Sequence, residues 1–155
     1  MKKILFICTG NICRSPIAEG VFNALMEKGY GESSRYLAES AGTNALEGLR
    51  PSEFSVKYLH DEWNIDISHI RSRHYLDLNP DDFDFLFALT KNHKKTILSE
   101  NPNLKNKTFT LKEYIEEAPD NPDIFDPYGQ NYNIYKKCGT EIYDCVSRLV
   151  DILTF

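Results

Sequence analysis

Lys3-Ile4-Leu5-Phe6-Ile7-Cys8-Thr9-Gly10-Asn11-Ile12-Cys13-Arg14-Ser15-Pro16 decides how the chain is read. Its first six residues are an apolar run that stops at a Thr-Gly-Asn turn, the pattern of a buried strand. Ser15-Pro16 then opens a helical stretch with apolar residues at Ile17, Val21 and Leu25. Ser15 suits the N-cap and Pro16 the first helical position. Gly10 and Asn11 are the residue types that most easily take left-handed backbone conformations. A turn built from them can point successive N–H groups at one centre and form an anion-binding nest. The helix that follows adds its partial positive N-terminus. Arg14 adds a planar fork suited to two phosphate oxygens. Such a setting favours a dianion and a thiolate alike, so Cys8 is expected to be a ready nucleophile.

Outward from this stretch, strand and helix alternate. Further strands are predicted over Tyr36–Ser40, Phe83–Leu89 and Lys107–Leu111, and helices over Pro51–Trp63 and Asn92–Leu98. Ile134, Cys138, Ile142, Cys145, Leu149 and Ile152 recur at helical spacing and predict a C-terminal amphipathic helix. Residues 113–127 are rich in Pro, Asp and Asn and read as a long loop, a length usually tied to function. The alternation implies an α/β fold: a three-layer sandwich with a four-stranded parallel sheet, helices on both faces and right-handed crossovers. Ligands of such sheets bind at the carboxyl ends of the strands, and the first strand ends at Cys8. The 155 residues fit one domain, 1–155.

Eighteen basic residues against 23 acidic give a net charge of −5, which argues against nucleic acid or an anionic membrane as partner. The longest apolar runs, Ile4–Cys8 and Phe85–Leu89, are too short to span a bilayer. Lys2-Lys3 is followed by no adequate apolar stretch or cleavage site for a signal peptide, so a cytoplasmic protein is expected. The four cysteines, Cys8, Cys13, Cys138 and Cys145, have neither the compartment for a disulfide framework nor the spacing for a zinc site. Cys138 and Cys145 fall on the apolar face of the last helix and read as core.

A phosphoryl group held beside Cys8 would be attacked to give a phosphocysteine, and its leaving group would need a proton. Asp126, in Asp126-Pro127-Tyr128 at the end of the long loop, is the candidate general acid and then general base. Pro127 fixes the adjoining backbone, and Tyr128 can stack on a flat substrate.

These residues resemble the low-molecular-weight protein tyrosine phosphatase family. The matching motifs are Cys8-x5-Arg14-Ser15-Pro16, Glu39-Ser40-Ala41-Gly42-Thr43 and Asp126-Pro127-Tyr128. The resemblance implies that Cys8 is the nucleophile, Arg14 the phosphate and transition-state clamp, and Asp126 the general acid and base. It implies that Ser15 donates a hydrogen bond to the Cys8 thiolate. It implies that Asn11 shapes the loop through bonds to Ser40 and His69. Thr9, Gly10, Asn11, Ile12 and Cys13 would bind phosphate, with Leu46 and Tyr128 at the substrate. Cys13 matches the second cysteine of the family, which can pair reversibly with the nucleophile under oxidation. Neither metal nor organic cofactor is implied, and a monomer acting on a phosphorylated protein or peptide is expected.

Three features depart from the tyrosine-phosphatase pattern: no aromatic in Asn44-Ala45-Leu46-Glu47, Gly129 after Tyr128, and Thr90 where an aspartate is frequent. With Thr110-Leu111-Lys112-Glu113-Tyr114 they are similar to the bacterial protein-arginine phosphatase branch. Ile12 pulls the other way, because that branch carries threonine there and an apolar side chain suits an aromatic ring. Ile12 lies nearest the chemistry, so phosphotyrosine is the first expectation and phosphoarginine the alternative. A thiol-coupled arsenate reductase would need relay cysteines between Arg71 and Thr90, where the chain has none. A phosphoprotein-binding module without turnover would lack the nucleophile or the acid, and both are present.

Overall fold

A computed structural model describes residues 1–117 and 120–155. Strand β1 (Lys2–Cys8) lies inside a parallel sheet, with β2 (Tyr36–Gly42) on one side and β3 (Phe85–Ala88) on the other. The third neighbour, β4 (Thr108–Thr110), pairs with β3, giving the order β2-β1-β3-β4. Register places Cys8 opposite Gly42 and Ile7 opposite Ala88. The order reverses between β1 and β3, and a crevice opens at the carboxyl ends of strands at such a point.

Both faces of β1 are covered, which is why its sequence is apolar throughout instead of alternating. Ile4, Phe6 and Cys8 face one core, shared with Ile17, Val21 and Phe22 of α1 (Arg14–Tyr30) and with the C-terminal helix. Leu5 and Ile7 face a second core with Tyr75, Phe83, Leu104 and Ile97 of α3 (Lys91–Glu100). Phe6 sits 6.0 Å from the Phe22 ring and 5.9 Å from that of Phe87, so the sheet centre is aromatic. Each such fully buried ring contributes roughly 1.5–3 kcal/mol.

Helix α2 (Glu53–Trp63) packs against α5 (Tyr132–Thr154), whose buried Tyr135, Cys138, Ile142, Cys145, Val146 and Leu149 follow the helical period. Asn131 caps α5 by accepting from the Ile134 N–H at 3.1 Å. Gly139 is there because of the neighbouring helix: a Cβ would sit 2.5 Å from the Tyr58 ring.

Several predicted boundaries move, each for a local reason. Helix α1 starts at Arg14 with Cys13 at its cap, and Ser15 lies inside the first turn, its hydroxyl drawn to other partners. Strand β2 runs on to Gly42, and β3 is shorter than expected: Asp84 meets Lys3 through its own N–H to the Lys3 carbonyl and its carboxylate on the Lys3 N–H, both at 2.8 Å. The expected strand 107–111 stops at Thr110, which caps the short helix α4 (Leu111–Tyr114) in a reciprocal capping box with Glu113. The expected loop over 113–127 therefore begins after Tyr114, and its residues 118 and 119 lie outside the described ones.

Candidate active site

The turn after β1 closes around one point. Asn11 is left-handed at φ 57°. The Cys8 and Thr9 carbonyls accept from Thr43 and Asn44 N–H, and that of Ile12 accepts from Ser52 N–H, at 2.9, 3.0 and 2.7 Å. The Cys13 carbonyl accepts from the Ser55 hydroxyl at 3.2 Å. Among the described residues, no backbone N–H from Thr9 to Cys13 donates to a backbone carbonyl. The loop thus ties its acceptors outward and leaves its donors free for an anion. Gly42 permits the closeness of β2, since a Cβ there would fall 2.2 Å from the Thr9 carbonyl oxygen.

Cys8 is buried, with its Sγ 2.9 Å from Ser15 Oγ. That oxygen accepts from Asn11 Nδ2 at 2.8 Å, and its proton is within reach of the sulfur and, at 3.4 Å, of the Ala41 carbonyl. Asn11 also donates to Ser40 Oγ at 3.0 Å, and Ser40 donates to Glu19 Oε1 at 2.7 Å. Burial raises the carboxyl pKa of Glu19 above the usual range, against a lowering by the Ser40 bond and Arg73. The remaining expected partner of Asn11 differs. Asn11 Oδ1 accepts from the Arg73 backbone N–H at 3.1 Å, whereas His69 is exposed and makes no bond to Asn11. The bridge between β2's end and residue 74 brings the main chain of residue 73 under the loop, and a main-chain donor takes the place given to the imidazole.

Arg14 is 4% exposed despite its charge. Its NH1 donates to the Ile124 carbonyl at 2.8 Å, and NH2 lies 3.7 Å from Asp126 Oδ2. Its Nε is buried and has no hydrogen-bond partner among the described residues. A buried guanidinium donor without an acceptor costs stability, and an anion in the nest would satisfy it. The Asp126 carboxylate is half exposed, and its Oδ1 accepts from the Tyr128 N–H at 3.0 Å. Leu46 and Tyr128 are exposed, while Ile12 is half-buried. Gly10 is half-buried in the turn itself.

Cys13 lies under the helix start, its Sγ 3.3 Å from the Tyr135 hydroxyl. Burial pushes its thiol up to about 11, and those of Cys138 and Cys145 up to about 12. All four cysteines are free thiols. Among the described residues, no group of three or more His, Cys, Asp or Glu side chains is placed to hold a metal.

One participant was not expected. His93, buried on α3, places Nε2 2.8 Å from Thr9 Oγ1 and Nδ1 2.9 Å from Thr90 Oγ1. Thr90 caps α3 by accepting the His93 N–H, and its hydroxyl can give its proton to Nδ1. In that tautomer Nε2–H donates to Thr9 and the Thr9 hydroxyl proton is free for the crevice. Burial first, and Arg14 second, hold the imidazole down to about 4, so it is neutral near pH 7. Thr90-x-x-His93 carries a helix-start signal in the sequence, but nothing there ties it to Thr9. These groups, with Thr43, Arg14 and Asp126, line a cavity of about 480 Å³ at the end of β1 and β3. A larger cleft of about 940 Å³ lies between α3 and α4, but neither Cys8 nor Arg14 opens into it. Size does not decide in its favour, because the buried Arg14 and the Thr9 that follows Cys8 line the smaller cavity.

A family profile described as low molecular weight phosphotyrosine protein phosphatase matches residues 3–154. The protein-arginine-phosphatase of Bacillus subtilis (strain 168) is 33% identical over 146 residues, 94% of this chain and 93% of the relative. The low molecular weight protein-tyrosine-phosphatase PtpB of a Staphylococcus epidermidis strain is 33% identical over 147 residues, 95% and 96% of the two chains. The crystal structure of a low molecular weight protein tyrosine phosphatase from T. tengcongensis superposes with a TM-score of 0.88 at 36% identity, covering 97% of this chain and 99% of that one. A single fold, one loop after the first strand and a match over nearly the whole length lead to one assignment. The chain belongs to the low molecular weight phosphotyrosine protein phosphatase family.

Proposed function

We propose that the protein hydrolyses phosphotyrosine in proteins or peptides through a phosphocysteine intermediate, as a cytoplasmic, monomeric, single-domain enzyme. The phosphoryl group rests in the nest from Thr9 to Cys13, against Arg14. The buried Nε of Arg14, without a partner among the described residues, carries this reading, because a planar donor fork held in place by Ile124 suits an oxyanion. Cys8 Sγ attacks phosphorus, the S–P bond forms and the P–O bond to the phenol breaks. The Asp126 carboxyl gives its proton to the departing oxygen. Water then attacks phosphorus and passes a proton to Asp126 as the S–P bond breaks, with Ser15 stabilising the released thiolate at 2.9 Å. The two steps call only on the nest, these side chains and water.

Ile12 supports an aromatic leaving group, since its side chain at the half-buried loop offers apolar contact. One observation favours the alternative, a protein-arginine phosphatase with the same mechanism. The cavity beside Cys8 is walled by the hydroxyls of Thr9, Thr43 and Thr90, groups that suit a polar guanidinium. The test compares kcat/KM for a phosphotyrosine and a phosphoarginine peptide, with Cys8→Ser as blank. Preference for phosphotyrosine supports the first reading. Preference for phosphoarginine means that the threonine wall outweighs Ile12. Wild type equal to the blank on both overturns phosphatase chemistry.

A further inference from the structure

We propose that Lys112, paired with Glu141, is a positioning residue that holds the segment bearing Asp126 in register for proton transfer. The inference rests on Asp126 acting as the general acid.

Thr110-Leu111-Lys112-Glu113-Tyr114 stands out in the sequence, yet none of its residues lines the cavity that holds Arg14 and Asp126. Lys112 is 6% exposed, an unusual place for an ammonium group. Its Nζ lies 3.4 Å from Glu141 Oε1 on α5 and donates to the Asp123 carbonyl at 3.2 Å. Asp123 begins the short run that ends at Asp126. The next two carbonyls are held as well, Ile124 by Arg14 NH1 at 2.8 Å and Phe125 by the Cys138 thiol at 3.6 Å. The Ile124 N–H donates to the Leu89 carbonyl at 2.9 Å, and the Asp123 carboxylate accepts the Lys91 N–H at 2.7 Å. Three successive carbonyls thus meet three buried donors from three different elements. Arg14 and Cys138 have other reasons for their places, one in the phosphate site and one in the core. Lys112 has none, because a buried cation is costly unless its partners are fixed. The capping box of α4 fixes the helix that carries it.

An exposed carboxylate on a loop transfers a proton efficiently only if it is held near the leaving oxygen. Without Lys112 the Asp123 carbonyl loses its donor, and Asp126 samples positions from which it cannot reach that oxygen. The loss is therefore selective. A poor leaving group such as the phenol of phenyl phosphate needs the acid, and p-nitrophenolate needs it far less.

The test measures kcat/KM on phenyl phosphate and p-nitrophenyl phosphate for wild type, Lys112→Met, Lys112→Arg, Lys112→Met/Glu141→Met and Asp126→Asn. The double variant removes both charges, so a lone carboxylate cannot unfold it. Urea midpoints check that each variant is folded. General acid catalysis contributes about 10²–10⁴-fold. Lys112→Met and the double variant are expected to lose on the order of tenfold more on phenyl phosphate than on p-nitrophenyl phosphate, part of that full contribution. Lys112→Arg is expected to recover most of the difference. An unchanged ratio in both folded Met variants, with Asp126→Asn shifting it, overturns the positioning role. Equal loss on both substrates overturns it too, since that is the mark of a structural residue. An unchanged ratio in Asp126→Asn removes the general acid itself, and the proposal falls with that assignment.

Discussion

Asn11 does two things at once, and each can be removed separately. Its backbone is left-handed, and its side chain joins Ser15, Ser40 and the Arg73 N–H. Asn11→Gly keeps the backbone and deletes the side-chain bonds. Leaving the Arg73 N–H and the serines short of a partner is expected to cost roughly 1–3 kcal/mol in urea unfolding. Asn11→Ala adds the strain of a Cβ in that conformation, about 1 kcal/mol more. Both variants are expected to lose kcat/KM, because the serine hydroxyl loses its orientation toward Cys8. If Ala proves no worse than Gly, the left-handed turn is not what asparagine is there for. The grouping of Cys8, Arg14 and the left-handed turn was legible in the sequence because they are neighbours along the chain. The third partner of Asn11 was not legible. A backbone N–H has no sequence signal, so Arg73 could not be told from the imidazole of His69.

The elements were legible where the hydrophobic period is long, as in α5, and less so at their ends, where single polar groups decide. Thr110 illustrates this: as part of a β-prone run it reads as strand, yet with Glu113 three residues on it caps a helix. The link between α3 and the loop after β1 was not legible either, since Thr9 and His93 are 84 residues apart. That link has a pH signature. His93 in the folded protein is held down to about 4, against 6.5 for a free imidazole. Between those values the unfolded chain binds the proton and the folded protein does not, so stability rises with pH across the window. It is fully present above about pH 6.5 and is lost as pH falls toward 4, by an amount on the order of 3 kcal/mol. His93→Gln preserves hydrogen-bonding capacity and removes the titration. Urea unfolding at pH 5 and pH 7 should show a smaller difference for that variant than for wild type. An equal difference would mean that other groups carry the acid sensitivity. The comparison with the variant isolates His93 from Glu19, whose raised pKa acts with the opposite sign.

At the scale of the molecule, the parallel order β2-β1-β3-β4 places the end of β1 where helix, sheet and the Asp126 segment converge. Arg14 spans them, rooted in α1 and bonded to Ile124 beyond β3. A phosphate that occupies the nest would contact only the native arrangement, because the unfolded chain has no nest. Binding must then stabilise the whole fold by mass action, about 2.7 kcal/mol at a hundred times Kd. Inorganic phosphate is expected to raise the thermal midpoint of the wild type in a concentration-dependent way. Cys8→Ser should respond as well, since the nest and the arginine fork remain and only the nucleophile is gone. Arg14→Met should lose most of the response, because the buried Nε is the donor that an anion in the nest would satisfy. Differential scanning calorimetry across a phosphate titration, with sodium chloride matched for ionic strength, separates this from general salt effects. A phosphate response that survives Arg14→Met would place the anion elsewhere on the protein. It would also take from Arg14 the phosphate-holding role that the proposed mechanism gives it.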